Sequence, residues 1–194
     1  MKEQAVGCVI LAAGSAARFG ANKLLAEFRG RSLIRLALEA VPAGVPAAVV
    51  TRYDEIEALA EEYGFFCVRN MHPELGVSHS VRLGTAALAG RCAGLAFLTA
   101  DQPLLRRETV ERLLETFRAN PERIVCLAAS GVRGSPCVFP ADLFPALQQL
   151  EGDRGGSRLI RRFPERVLLV EADARELLDV DTAQELEALR EKEG

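Results

Sequence analysis

No C-x-x-C pair and no H-E-x-x-H stretch occur in this chain, whose five cysteines (Cys8, Cys67, Cys92, Cys126, Cys137) are dispersed and whose only histidines are His72 and His79. That spacing argues against a zinc site and reads as reduced thiols in a cytosolic protein. Also missing is any apolar run of bilayer length: the N-terminal one is roughly half the ~20 residues a spanning helix needs. A cytoplasmic protein with no membrane partner is expected. There is no basic excess either, since the formal net charge is −3, and this argues against a nonspecific nucleic-acid binder. Two phosphate motifs are absent as well: Gly20 is followed by Ala-Asn-Lys where a P-loop needs Gly-Lys-Ser/Thr, and G-x-G-x-x-G does not occur.

What is present is a chain of 194 residues, 49% hydrophobic and 26% charged, enough for one domain spanning residues 1–194 with a full core. Val6 to Leu11 reads as a strand buried on both faces, and it runs into LAAGSAARFGANK. Gly14 and Gly20 can take positive φ and turn backbone N–H groups toward an anion, with Arg18 and Lys23 supplying charge from an exposed loop. An ordinary strand-to-helix turn has the same spacing, so a phosphate cradle is one of two readings. Further strands are expected at Pro46–Thr51, Phe65–Arg69, Leu95–Ala100, Ile124–Ala129 and Arg166–Val170, with helices at 32–41, 54–63, 79–89 and 107–118. In the last of these, Val110, Leu113, Leu114 and Phe117 share one face. Alternating strands and helices predict βαβ units and a Rossmann-like, doubly wound α/β domain with a mostly parallel sheet. Its ligands would sit beyond the carboxyl ends of the strands.

LTADQP places Asp101 on that same edge, where it is either a ligand of a hard cation or the cap of helix 107–118. LLDVDTAQEL adds Asp179 and Asp181, with Asp181-Thr182 at the start of a last helix. Two acids facing a Lys/Arg loop suit a magnesium-bound nucleoside triphosphate.

LAAGSAARFGANKLL, GVSHSVRLG, LTADQP, GSPCVFP, LEGDRGGSRLI and DVDTAQEL, in this order over nearly the whole chain, resemble the molybdenum cofactor cytidylyltransferases of the MobA-like nucleotidyltransferase superfamily. The resemblance implies a nucleotide-diphospho-sugar transferase type of fold. It also implies CTP and molybdopterin-type molybdenum cofactor as substrates, pyrophosphate as leaving group and Mg2+ as helper. Leu11, Ala12, Ala13, Gly14, Arg18, Gly20 and Lys23 are similar to the family's triphosphate loop, although Ala16 stands where a hydroxyl residue is usual. By the same resemblance Arg18, Lys23 and Asp101 are catalytic, and Gly76, Ser78 and Ser80 lie near cytosine. Ser78 has the alternative of capping helix 79–89. Asp101 and Asp181 match the magnesium positions. GDRGGSR is similar to a segment usually read G-D-K-G-A, with Arg154 for lysine and Gly156 for alanine, and it puts Asp153 and Arg154 on the acceptor. Gly134 and Pro136, in a segment at 130–139 that is either a hairpin or a lid, are expected on the acceptor side. LAAG in place of LAGG favours cytosine. The alternatives are guanylyl transfer to molybdopterin, cytidylyl transfer to a sugar or polyol phosphate, and delivery of a cofactor to a molybdoenzyme or its chaperone.

Overall fold

The computed structural model describes residues 5–14 and 22–193. Strand β1 (Ala5–Ala12) shows why the chain folds around it: Val6, Cys8, Ile10 and Ala12 enter one apolar layer and Val9 the other. A strand with apolar side chains on both faces is stable only with helices on both sides. Around it lie β4 (Ala47–Thr51), β5 (Phe66–Arg69), β6 (Cys92–Thr99), β7 (Ile124–Ala129), β8 (Val132–Pro140) and β9 (Val167–Glu171), in the order β5-β4-β1-β6-β8-β7-β9. All run parallel except β8, which is antiparallel to both its neighbours. The mostly parallel, doubly wound α/β fold expected from the alternation is therefore the one observed. A separate two-stranded ladder joins β2 (Glu27–Phe28) to β3 (Arg31–Ser32).

On one face of the sheet pack α1 (Leu33–Glu39), α2 (Asp54–Glu62) and α4 (Arg107–Ala119), through Ile34, Leu38, Ile56, Leu113 and Phe117. On the other pack α3 (Val77–Leu88), α5 (Phe144–Leu147) and α6 (Ser157–Arg162), through Val81, Leu88, Leu147, Leu159 and Ile160. Helix α3 comes unusually close to the sheet. A Cβ at Gly84 would lie 2.2 Å from Val9 Cγ1, so only glycine fits there. This seating carries the first turn of α3 over the carboxyl edge of β1. The last helix, α7 (Ala183–Glu193), closes a small third cluster in which Leu186 and Leu189 meet Phe28, Leu33 and Val180.

The segment 130–139 resolves as a hairpin. Ser130 (φ 50°) and Gly131 (φ 74°) form a two-residue turn of positive φ between the paired Ala129 and Val132, the geometry that matches strand twist. The returning strand is β8, which slots between β6 and β7. Because the other strands are parallel, the ends of β1, β4, β5 and β6 open on one edge, where Ala13–Gly14, Tyr53, Asn70 and Asp101 follow them.

Candidate active site

Lys23 opens a 3-10 turn, Lys23–Leu25, that Asn22 caps by accepting from Leu24 N at 3.2 Å. Its ammonium donates to Asp101 Oδ2 at 2.8 Å, to the Val180 carbonyl at 3.0 Å and to Asp181 Oδ1 at 3.1 Å. All three protons are thus used, and the side chain is only 16% exposed. The expectation of an exposed loop lysine is corrected: the residue is drawn under the edge by two carboxylates. Burial alone would lower its pKa, but the hydrogen bonds and charges of Asp101 and then Asp181 outweigh that, and the net shift is upward.

Asp101 lies well before α4 and does not cap it. The residue that precedes α4, Arg106, is instead tied to Glu176, whose carboxylate accepts from Arg106 N and Arg106 Nε, each at 3.0 Å. Asp101 Oδ1 is buried and has no hydrogen-bond partner among the described residues. Asp181 is held by a capping box: Asp181 N and Thr182 N donate to Glu185 Oε2, and Glu185 N donates to Thr182 Oγ1. The helix start expected at Thr182 is thereby observed. Burial and then repulsion by Asp101 push the Asp179 carboxyl upward, against a hydrogen bond from Gln102.

Beside this knot a cavity of about 280 Å³ gathers Leu11, Ala13, Gly14, Gly76, Ser80 and Asp101 from the expected nucleotide set. Two members of that set turn away. Ala12 is 1% exposed and faces the core, because alternate residues of a strand point to opposite sides. Ser78 is buried off the cavity: Val77, Ser80 and Val81 share one helical face, and Ser78 lies about 100° round from Val77. Nor is Ser78 a cap, since α3 already begins at Val77 and its hydroxyl donates to the Leu75 carbonyl at 3.4 Å. Arg18 and Gly20, together with Ala16, lie outside the described residues.

Asp153, expected on the acceptor, lines this first cavity instead. The reason is Gly76. At φ 81° a Cβ would sit 2.5 Å from Asp153 Oδ1 and from the Gly152 carbonyl carbon, so the glycine lets the 152–153 turn press against the start of α3.

A second cavity, of about 320 Å³, shares Leu11, Val77 and Thr99 with the first and is bounded by Gly134, Ser135, Gly155 and Gly156. Thr99 Oγ1, at the junction, is buried and unpartnered among the described residues. Of the expected acceptor residues, Gly134 alone lines this cavity. Pro136 is buried within β8 after a cis Ser135–Pro136 bond. Arg154 borders a separate open hollow with Arg158, Arg161 and Arg162. Gly156 has its own explanation: a Cβ there would lie 2.3 Å from Phe139 Cζ.

Two residues at the site escaped the sequence reading. Asn70, fully buried, lines the first cavity, and Tyr53 donates its hydroxyl proton to the Gly14 carbonyl at 3.1 Å. The available signal was position alone, since each comes just after a strand on the binding edge. The Lys23, Asp101 and Asp181 group carries one positive and two negative charges beside two joined cavities, an arrangement that can take a polyphosphate together with a divalent cation and leaves room for a second substrate.

Comparison with known proteins matches residues 8–167 to the MobA-like NTP transferase domain. The purine catabolism protein PucB of Bacillus subtilis (strain 168) is 30% identical, with 94% of each chain covered. A probable molybdenum cofactor guanylyltransferase of Aquifex aeolicus (strain VF5) is 30% identical over 57% of this chain and 53% of its own length. Among solved structures, an rv0371c homologue from Mycobacterium sp. strain JC1 superposes with a TM-score of 0.81 at 26% identity, covering 96% of both chains. A strand order, a carboxyl-edge site and a matched segment that agree in this way have one consequence: the chain belongs to the MobA-like NTP transferase family and is a nucleotidyltransferase.

Proposed function

We propose that the protein transfers CMP from CTP to the terminal phosphate of a molybdopterin-type cofactor and releases pyrophosphate. The observation that carries this reading is the convergence of Lys23, Asp101 and Asp181 beside two cavities joined at Leu11, Val77 and Thr99. One cavity suits the nucleotide and the other the acceptor, so the acceptor phosphate oxygen attacks the α-phosphorus where the two meet. A P–O bond forms there as the bond from the α-phosphorus to the bridging oxygen breaks. A phosphate monoester is an adequate nucleophile, so the protein's work is alignment and neutralisation of charge. Lys23 holds the two acids in place and adds positive charge at the phosphates.

The donor set fits Mg2+. Two carboxylates converge on Lys23, and the buried Oδ1 of Asp101 has no hydrogen-bond partner among the described residues. Magnesium takes one or two carboxylates together with phosphate oxygens. Asp101 and Asp181 would hold it, and it would offset the charge of the phosphates.

The Aquifex relative's name points instead to guanylyl transfer, the second reading. Purified protein incubated with Mg2+, molybdopterin cofactor and each of the four nucleoside triphosphates in turn separates the two. Pyrophosphate release with CTP alone is expected. Release with GTP alone establishes the second reading, and release only after adding a sugar or polyol phosphate overturns the acceptor. Asp101→Asn should abolish magnesium-dependent turnover, because the amide keeps the shape and loses the charge; wild-type activity across magnesium concentrations would remove Asp101 from the metal site.

A further inference from the structure

The buried polar pair in the nucleotide cavity decides more than its own stability. Asn70 is 0% exposed, Ser80 is 6% exposed, and both line the 280 Å³ cavity. Asn70 is fixed at three points: its N donates to the Thr51 carbonyl at 2.7 Å, its Oδ1 accepts from His72 N at 2.9 Å, and its Nδ2 donates to Ser80 Oγ at 2.9 Å. The His72 contact settles the orientation of the amide, because a backbone N–H can only donate and must face the oxygen. The NH2 group is left facing Ser80, where it can only donate. Ser80 Oγ therefore spends a lone pair on Asn70, and its own proton must point elsewhere. Among the described residues the hydroxyl makes no other hydrogen bond.

We infer that Asn70 is a positioning residue that fixes Ser80 as a hydrogen-bond donor toward the nucleotide, so that the site selects a base whose Watson–Crick edge carries an unprotonated ring nitrogen. Cytosine presents such an acceptor at N3. Uracil at N3 and guanine at N1 carry a proton, which would meet the serine proton head-on. The inference deepens the proposed function and rests on the nucleotide occupying this cavity. CTP and UTP are the informative pair, being equal in size and opposite at N3.

Binding of CTP and of UTP, each with Mg2+, is measured by calorimetry for the wild type, Asn70→Asp, Asn70→Ala, Ser80→Ala and the double variant Asn70→Ala/Ser80→Ala. In Asn70→Asp the second carboxylate oxygen must accept from Ser80, which turns the serine lone pair outward. The CTP over UTP ratio should then fall roughly ten- to hundredfold. Asn70→Ala frees the hydroxyl to rotate and should lose most of the preference, with Ser80→Ala adding nothing further in that background; this pair carries the test if the buried aspartate prevents folding. A ratio unchanged in the Asn70 variants, or a wild type that binds UTP as well as CTP, overturns the inference. A wild type that shows the ratio and its loss, yet releases no pyrophosphate with molybdopterin cofactor, overturns the proposed acceptor and leaves this inference standing. Binding of no nucleotide ends both.

Discussion

An ammonium whose three protons all go to protein oxygens is both a charge and a tether. Lys23 ties Asp101 to Asp181, acids that would otherwise repel each other, and it meets a phosphate only by exchanging one of those partners. Lys23→Met keeps the packing of the side-chain stem and removes the charge. It should lower stability by about 1–3 kcal/mol at neutral pH, the scale of leaving buried polar groups unpaired, and should abolish transfer. The pKa of Lys23 is raised in the fold. Its contribution is therefore complete below the unfolded value near ~10.4 and is lost as pH climbs through the higher folded value. Urea midpoints of the two proteins should differ at pH 7 and converge in strong alkali. Equal midpoints at pH 7 would mean that the acids do not need the lysine. Its loop position was legible in the sequence and its burial was not, because burial depends on two acids that approach from remote parts of the chain.

At the scale of elements, the two loops that carry the acids are braced at a distance. Glu176, in the 3-10 turn Ala174–Leu177, is 3% exposed and accepts from both the backbone and the guanidinium of Arg106 at the start of α4. Burial alone would raise its pKa, but the hydrogen bonds from Arg106 and Thr109 prevail and hold it below the ordinary carboxyl value. A lowered pKa stabilises above the unfolded value and fails as pH falls through the folded one. Glu176→Gln should therefore lose about 1–3 kcal/mol at pH 7, and its gap to the wild type should close as pH falls past the ordinary carboxyl value and through the lower folded one. A gap that persists in acid would show that the amide fails for reasons of shape. The elements themselves divide by sequence pattern. The strands beginning at Ala47, Phe66, Ile124 and Val167 were legible within a residue at each end, since an unbroken apolar run has few alternatives. β8 was not read as a central strand, because Arg133, Gly134 and Pro136 interrupt its apolar pattern and its partners come from tertiary pairing. In the site, Leu11, Ala13, Gly76 and Ser80 line the first cavity whereas Ala12 and Ser78 face away from it, because a motif does not record which way each side chain turns.

For the whole molecule, the site exists only once distant segments have met: Lys23 lies 78 residues from Asp101 and 158 from Asp181. The last of these arrives because α7 docks. Leu186 is 2% exposed against Phe28, Leu33 and Val180, and the same helix supplies Glu185, which holds the backbone of Asp181. Packing there and geometry at the acids are thus one structure. Leu186→Ala should cost about 2–3 kcal/mol, toward the lower end for a buried leucine because a small cluster near the surface can partly close the gap. On the proposed reading it should also raise severalfold the magnesium concentration that gives half-maximal pyrophosphate release, since Asp181 loses its support. Leu147→Ala is the control. Leu147 is 0% exposed in the opposite layer, on α5, away from both acids, so it should lower the urea midpoint by a similar amount and leave the magnesium dependence where it was. If both variants shift that dependence alike, it reports global stability alone; if Leu186→Ala alone does, α7 is part of the machinery that presents Asp181.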